Sequence, residues 1–420
     1  MSLGTSTELS LAHLLRHRPA LCSFIAIRTA DELGAQMLNV GIGWYIYAAT
    51  HNPMSLAYVG LAQFLPNIGM LLIAGQAADR FDRRKVVGIS LLIQTLAIAG
   101  WCAWSAATTP SIRWVYLLLL IIGSARAFSS PAMSAMLPHV VRGEEFPRAV
   151  AATSSAFQIC TIAGPAIGGL IYAVSGPAMF AVAAGLYFLA ATQTRRLGGG
   201  RPGGGQDRAL TDKSVLAGIR YIRSNRLLLS LISLDLFAVL LGGVTALLPI
   251  YAEDILSVGP SGLGYLRGAP GVGAAIIGLV LAHHTIKRDT GKLMLACVAG
   301  FGFATVVFAL SRNFWLSLAA LIATGGFDMV SMVIRQTLVQ TSTPDTMRGR
   351  VSAVNWVFIG ASSELGEFES GATAALFGAV GSALLGGLGT LAVVALWAWI
   401  FPELTRTDKL ITEEAEVPIG

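Results

Sequence analysis

The stretch Gly75-Gln76-Ala77-Ala78-Asp79-Arg80-Phe81-Asp82-Arg83-Arg84-Lys85 places six charges in the seven residues from Asp79 to Lys85. Long apolar runs end at Ala78 and resume at Val86. A charged segment this short between two such runs is typical of a loop that joins two membrane helices, because only the loop reaches water. The segment therefore predicts two membrane helices that are joined by a tight aqueous loop.

The composition agrees with a membrane protein. Of the 420 residues, 54% are hydrophobic and only 12% are charged, whereas a soluble domain has about 25% charged residues. The apolar runs are far longer than the strands of a membrane barrel, which have about 10 residues. The sequence therefore predicts an all-α integral membrane protein that contacts the lipid bilayer. The net charge of +6 needs no nucleic acid to explain it, because it reflects loop charges that set the topology.

We predict twelve transmembrane helices in two sets of six, each about 20 residues or longer. The first six spans are 20–49, 55–78, 85–107, 112–137, 148–173 and 177–195, and the second six are 226–252, 261–284, 291–311, 313–341, 350–379 and 381–401. The corresponding domains are an N-terminal tail (1–19), a six-helix bundle (20–195), a glycine-rich basic linker (196–225), a second six-helix bundle (226–402) and a C-terminal tail (403–420). Glycine runs in the linker favour flexibility.

The distribution of basic residues predicts the orientation. The tails and the loops after even-numbered spans hold 23 of the 29 Lys and Arg residues, and the loops after odd-numbered spans hold two. This bias predicts that both termini and the linker are cytoplasmic. We therefore expect a multi-pass protein of a bacterial-type inner (plasma) membrane.

The two halves show weak internal similarity. The sequence Arg148-Ala149-Val150-Ala151 recurs as Arg350-Val351-Ser352-Ala353, 202 residues later, and Gly278 lies 203 residues after Gly75. Two copies of a six-helix unit at one offset predict parallel repeats with a substrate cavity between them. A bundle without such a cavity is the alternative.

The charged loop resembles the cytoplasmic signature of the major facilitator superfamily, of the form G-x-x-x-D-R-x-G-R-R-K. The matching residues are Gly75, Asp79, Arg80, Arg83, Arg84 and Lys85. Asp82 stands where the family usually has glycine, and Ala282 replaces the aspartate in the second-half copy. The resemblance implies a conformational latch of ion pairs that form in one state and break in the other. A simple topology determinant is the alternative.

A second motif lies in the fifth span. Gly164, Pro165, Gly168 and Gly169 resemble the G-P-x-x-G-G element of drug–proton antiporters of this superfamily, although ordinary packing of small residues explains them as well. Those antiporters often have a membrane-embedded arginine where Arg126 lies. The segments 44–47, 61–66 and 79–84 look most like the enterobactin-exporter-like and macrolide-efflux-like group.

Ionisable residues inside membrane spans are costly and are usually functional. We predict five proton-coupling residues: Asp31, Glu32, Arg126, Glu364 and Glu367. From the resemblance, Asp31 facing Arg126 is the leading proton site. A local pair between Arg28 and Glu32 on the same helix is the alternative.

Three glutamates crowd the eleventh span. Glu364 and Glu367 share a helix face, whereas Glu369 points about 140° away from Glu364. Two carboxylates on one face repel each other when both are ionised, which suits proton coupling or recognition of a cationic substrate. A solvated end of the helix is the alternative.

Polar residues elsewhere in the spans are candidates for lining the substrate cavity. They are Gln36, Asn39, Trp44, Gln63, Asn67, Gln158, Asp235, Asp328, Arg335, Asn355 and Trp356. Interhelical hydrogen bonds explain such residues nearly as well, and Asp328 with Arg335 also fits a structural pair.

The favoured function is a proton-coupled secondary exporter (antiporter) of a small amphipathic compound, such as a siderophore or a drug, and the broader form of this function is multidrug resistance. A proton-coupled importer or a lipid or lysolipid flippase of the same fold is the alternative. An enzyme or receptor is not expected, because the sequence has no metal-ligand spacing and no nucleotide-binding loop. We expect a monomer without cofactor or metal.

Overall fold

A computed structural model of the protein describes residues 18–107, 112–141, 145–197, 212–284, 286 and 289–406. Inside these ranges the description excludes the side chains of residues 67, 68, 71, 72, 78, 79, 105–107, 212–216, 345, 353 and 356. Within the described ranges the regular elements are helices, as expected for chain segments whose backbone groups must be satisfied in lipid.

Within the described residues, the first half contains seven α-helices. They are α1 (Pro19–Thr50), α2 (Pro53–Gly69), α3 (Leu71–Arg80), α4 (Arg83–Ala107), α5 (Ile112–Val140), α6 (Phe146–Val174) and α7 (Gly176–Gln193). Helices α2 and α3 occupy the second predicted span, with an interruption at Met70. The hydrogen bonding continues across it, because Met70 N donates to Pro66 O and Ala74 N donates to Met70 O.

The second half contains α8 (Asp212–Ser224), α9 (Arg226–Gly242), α10 (Gly259–His283), α11 (Thr290–Leu310), α12 (Phe314–Thr341), α13 (Asp345–Ile400) and α14 (Pro402–Thr405). Three short helical turns, Thr245–Leu247, Leu248–Ile250 and the π-turn Tyr251–Ile255, connect α9 to α10. The helical path of α13 breaks at Gly378, where φ is 77° and ψ is 163°. This break lies at the predicted junction between the last two spans.

The end of the predicted linker forms the helix α8 instead of a flexible segment. Ile222 is buried in the same core cluster as Leu228 and Val351. Gly218 approaches α13 closely, because a Cβ there would lie 2.9 Å from Arg350 O. An amphipathic helix that buries one face gains stability which a solvated linker lacks.

Nine helices within the described ranges are long and apolar enough to cross a membrane. The ninth, Thr346–Ile400, contains the break at Gly378. Helix α1 has a suitable length but carries Arg28, Asp31 and Glu32, and the α2–α3 segment is interrupted. The membrane-protein class is therefore confirmed, and the count of twelve spans stays a prediction.

The Cα positions group into two compact units. The described residues of the first lie within Met1–Asn39 and Leu65–Ala209, and those of the second within Val40–Phe64 and Leu210–Gly420. The end of α1 and the start of α2 thus belong to the second unit, where a Cβ on Gly371 of α13 would lie 2.7 Å from Ala57 N. The predicted domain boundaries stay a prediction.

We expect Gly378→Ala to lower the thermal unfolding midpoint, because this backbone conformation is almost restricted to glycine and costs another residue about 1–3 kcal/mol. No neighbouring atom lies within 4 Å of the added Cβ, so the effect reports backbone strain alone. Gly360→Ala on the same helix is the control, because it is also free of contacts but is helical. Equal midpoints for the two variants in detergent would contradict the assigned conformation.

Candidate transport site

Asp82 of the charged loop caps the N-terminus of α4. Its Oδ1 accepts a hydrogen bond from Arg84 N at 3.0 Å, and its carbonyl oxygen accepts from Lys85 N and Val86 N. An aspartate at this position satisfies backbone N–H groups that a helix start leaves free. The position where the resembled family usually has glycine is therefore a helix cap in this protein.

Arg83 and Arg84 connect α4 to the ends of two other helices. The buried Arg83 donates from Nη1 to Ala135 O of α5 at 2.9 Å. Arg84 donates from Nη1 to Leu197 O, just after α7, at 3.2 Å. These contacts lie inside the first unit, so both arginines stabilise its folded state directly. The role of the motif as a latch, including Gly75 and Asp79, stays a prediction, and the side chain of Asp79 lies outside the described residues.

Glu32 is the centre of a polar cluster between α1 and α5. Arg126 Nη2 lies 3.5 Å from Glu32 Oε2, and Gln36 Nε2 donates to Glu32 Oε1 at 2.7 Å. The carboxylate of Glu32 therefore contacts a guanidinium from α5 and an amide from its own helix, α1. Both contacts lie within the first unit.

Asp31 does not form the expected ion pair with Arg126 among the described residues, and its Oδ1 is buried without a hydrogen-bond partner there. Arg126 nevertheless interacts electrostatically with Asp31 as well as with Glu32, so both adjacent acids lie near this arginine. Asp31 also lies near Tyr187 of α7, and a Cβ on Gly34, one turn after Asp31, would lie 2.8 Å from Tyr187 Cε2. Glu32 thus forms the direct ion pair with Arg126, and the proton-site roles of Asp31 and Glu32 stay predictions.

The glycines of the fifth-span motif bring α6 against α1. A Cβ on Gly164 would lie 2.6 Å from Gln36 Cβ, and one on Gly168 would lie 2.8 Å from Met37 Cα. Pro165 and Gly169 are buried on the same helix. Because Gln36 holds Glu32, this close packing positions the polar cluster.

A second acid–arginine pair lies between α9 and α12. Asp235 contacts Arg335, and the two side chains are only 10% and 4% exposed, so the pair is shielded from solvent. Asp328, seven residues before Arg335 on α12, lines a small cavity together with Asp235. Asp235 lies 203 residues after Glu32, which is the offset between Gly75 and Gly278. Each sequence repeat therefore carries an acid on its first helix that is paired with an arginine on its fourth predicted span.

A third pair joins α10 to α13. Arg267 Nη2 lies 3.8 Å from Glu367 Oε1, and a Cβ on Gly60 of α2 would lie 3.1 Å from Glu367 Cβ. Arg267 was not among the predicted site residues, although it is one of four arginines inside the predicted spans. Glu369 accepts a hydrogen bond from Ser370 at 3.5 Å, and the backbone of Glu364 packs near Gly60.

Two acids after α9 were also missed. The Tyr47 hydroxyl donates to Asp254 Oδ2, and His51 Nε2 lies 3.4 Å from Glu253 Oε1. The predicted seventh span ended at residue 252, which left both acids in a loop. The available signal was two adjacent carboxylates directly after an apolar span.

The remaining cavity candidates are dispersed over several helices. Asn39, Trp44, Gln63 and Gln158 are partly buried, and Asn355 is buried. The side chains of Asn67 and Trp356 lie outside the described residues. Their role in a substrate cavity stays a prediction. Within the described residues no group of three or more His, Cys, Asp or Glu side chains is placed to hold a metal ion.

We expect Asp82→Ala to lower the free energy of unfolding by about 1 kcal/mol, because alanine cannot accept the hydrogen bond from Arg84 N. Asp82→Asn keeps an acceptor oxygen and should remain close to the parent protein. Chemical or thermal unfolding of both variants in the same detergent checks this expectation. A similar loss in both variants would mean that the charge of Asp82, rather than capping, carries its contribution.

Gly168→Ala should destabilise the protein by about 1–3 kcal/mol, since the added methyl group overpacks the α1–α6 contact. The matched control is Gly185→Ala on α7, where no neighbouring atom lies within 4 Å of the added Cβ. There the higher helix propensity of alanine makes the change neutral or stabilising. Unfolding midpoints measured side by side separate the two cases, and equal effects would contradict the close approach of α6 to α1.

Comparisons with known proteins agree with this architecture. Residues 18–416 match the profile of the family described as transmembrane secretion effector, MFS_3. The enterobactin exporter EntS of Shigella dysenteriae is 28% identical over 383 residues, which cover 90% of this chain and 87% of the relative. EntS of Escherichia coli is 27% identical over 399 residues and covers 94% of both chains.

Solved structures show the same fold. The nucleoside transporter NupG aligns with a TM-score of 0.69 at 14% identity, over 92% of this chain and 99% of NupG. A POT family transporter in complex with 5-aminolevulinic acid aligns with a TM-score of 0.73 at 10% identity, over 92% and 97% of the two chains. The chain therefore belongs to the transmembrane secretion effector family of the major facilitator superfamily and is a membrane transporter rather than an enzyme.

Proposed function

We propose that this transporter exports a small amphipathic compound of the siderophore class, driven by the inward flow of protons. The observation that carries the proposal is the similarity to enterobactin exporters over about nine tenths of the chain. The polar cluster around Glu32 supports it, because a transporter driven by protons needs a titratable group inside its membrane helices.

The proposed proton site is Glu32, with Arg126 and Gln36 as its partners. In the ionised state Glu32 holds Arg126 at 3.5 Å and accepts the amide of Gln36. Protonation would cancel the attraction to Arg126, so Glu32 would no longer hold this guanidinium inside the membrane helices. That change favours a different packing of α1 against α5, which is how one proton could bias an alternating-access equilibrium.

The proposed orientation follows from the positions of Lys and Arg. Both termini lie in the cytoplasm of a bacterial-type cell, and the substrate leaves through the inner membrane. The transporter acts as a monomer, and each of its repeats contributes one acid–arginine pair.

Transport into inside-out proteoliposomes tests the proposal. With an acidic lumen, the parent protein should accumulate a catecholate siderophore, and Glu32→Gln should reduce this accumulation at least tenfold. Glu403→Gln is the matched control, because Glu403 pairs with Arg226 at 3.2 Å at the end of the last predicted span. Asp31→Asn tests whether the neighbouring acid shares the role.

Two outcomes decide between parts of the proposal. If the siderophore moves equally fast with and without the proton gradient in the parent and in Glu32→Gln, proton coupling is wrong. If no siderophore moves but another amphipathic compound does so with the same gradient dependence, only the substrate class is wrong. Binding of the substrate to Glu32→Gln, measured by thermal stabilisation, separates loss of coupling from loss of binding.

A further inference from the structure

Two apolar grooves flank the first turns of α4 within the first unit. One has a volume of about 830 Å³ and lies between α3, α4 and α5. The other has a volume of about 490 Å³ and lies between α4 and α7. Both volumes fall in the range of about 300–1,000 Å³ that is typical of ligand sites. Lys85 and Ile89 line both grooves, so they form a ridge between two adjacent depressions.

The apolar walls of both grooves are exposed. Ile93 is 42% exposed in the first groove, Phe188 is 54% exposed in the second, and Ile89 on the ridge is 58% exposed. Exposed large apolar side chains on membrane helices face hydrocarbon rather than water. The grooves are therefore suited to hydrocarbon chains.

The charged ends of the two grooves are basic. Arg80 and Lys85 line the first groove, and Arg84 and Arg195 line the second. Among the lining residues whose side chains are described, the single acid is Asp82, which already caps α4 and lies 3.8 Å from Arg84. Among the described side chains, Arg80, Lys85 and Arg195 are in no ion pair. The excess of positive charge at the mouth of two apolar grooves matches an anionic headgroup that carries two acyl chains.

We propose that the grooves bind one anionic diacyl phospholipid, whose two chains lie on either side of the Lys85–Ile89 ridge and whose phosphate contacts Lys85, Arg80 and Arg195. Basic pockets between membrane helices are suited to anionic lipid headgroups. A soluble anion would leave the grooves empty, and a zwitterionic lipid would add its own cation to a basic site. The bound lipid connects α3, α4, α5 and α7, and it thereby reinforces the contacts that Arg83 and Arg84 make inside the first unit.

Lipid titration of the purified full-length protein tests this site. We expect dioleoyl phosphatidylglycerol to raise the unfolding midpoint at a concentration at least tenfold lower than dioleoyl phosphatidylcholine does. Native mass spectrometry of the parent protein should show one retained phosphatidylglycerol molecule. This measurement needs no variant and therefore does not depend on whether a variant folds.

Two pairs of variants separate the headgroup from the chains. Arg80→Gln combined with Lys85→Gln should abolish the preference for phosphatidylglycerol, whereas Arg113→Gln on α5, which lines neither groove, should keep it. Ile89→Trp should weaken the binding of both lipids at least tenfold, because the larger side chain obstructs both grooves. Leu96→Trp is its control, since Leu96 is exposed on the same helix and lines neither groove.

Three results would overturn the proposal. They are equal stabilisation of the parent by the two lipids, the same stabilisation by inorganic phosphate alone, and identical lipid affinities of the Ile89→Trp and Leu96→Trp variants. Equal stabilisation by inorganic phosphate would show that the loop binds a simple anion rather than a lipid. The proposed lipid site does not depend on which compound is transported. A failure of the siderophore transport experiment would therefore leave the lipid proposal unchanged.

Discussion

The pairing of acids with arginines between membrane helices is the constraint on which the rest of the structure depends. An isolated charge in a membrane helix is costly, so Glu32 and Asp235 each require a cation from another helix, supplied by Arg126 and Arg335. Meeting this requirement fixes the rotation of α1 relative to α5 and of α9 relative to α12. In the first unit the glycines of α6 then allow the approach that positions Gln36 beside Glu32.

Stability alone does not account for these pairs. Replacing a buried ion pair by apolar residues of similar volume is often neutral or stabilising, whereas removal of one partner costs about 3–5 kcal/mol. A pair therefore makes the packing of two helices conditional on the protonation state of one carboxyl group. In a protein that must alternate between two packings of similar free energy, this sensitivity is useful, and an apolar contact would not provide it.

Much of the fold could be predicted from the sequence, and the pairings could not. Hydropathy locates the membrane helices because lipid forces every backbone group into internal hydrogen bonds, and the break of α13 at Gly378 lies where the last two spans were separated. The choice between Asp31 and Glu32 depends on helix rotation, which only packing determines. Asp82 looked like a departure from the family pattern, yet it caps α4. Asp254 was missed because the π-turn Tyr251–Ile255 extends helical structure past the end of the predicted span.

The two sequence repeats share the acid on their first helix but differ in the loop motif. The loop motif around Asp79 is complete in the first repeat and degraded in the second, where Ala282 stands at the equivalent position. The acid on the first helix of each repeat is present in both, at the same offset of 203 residues, and both acids pair with an arginine. A feature that only one repeat carries cannot be needed to fold a six-helix unit as such. The loop therefore serves something specific to the first repeat, such as its helix-end contacts through Arg83 and Arg84, whereas the ion pair serves what both repeats have in common.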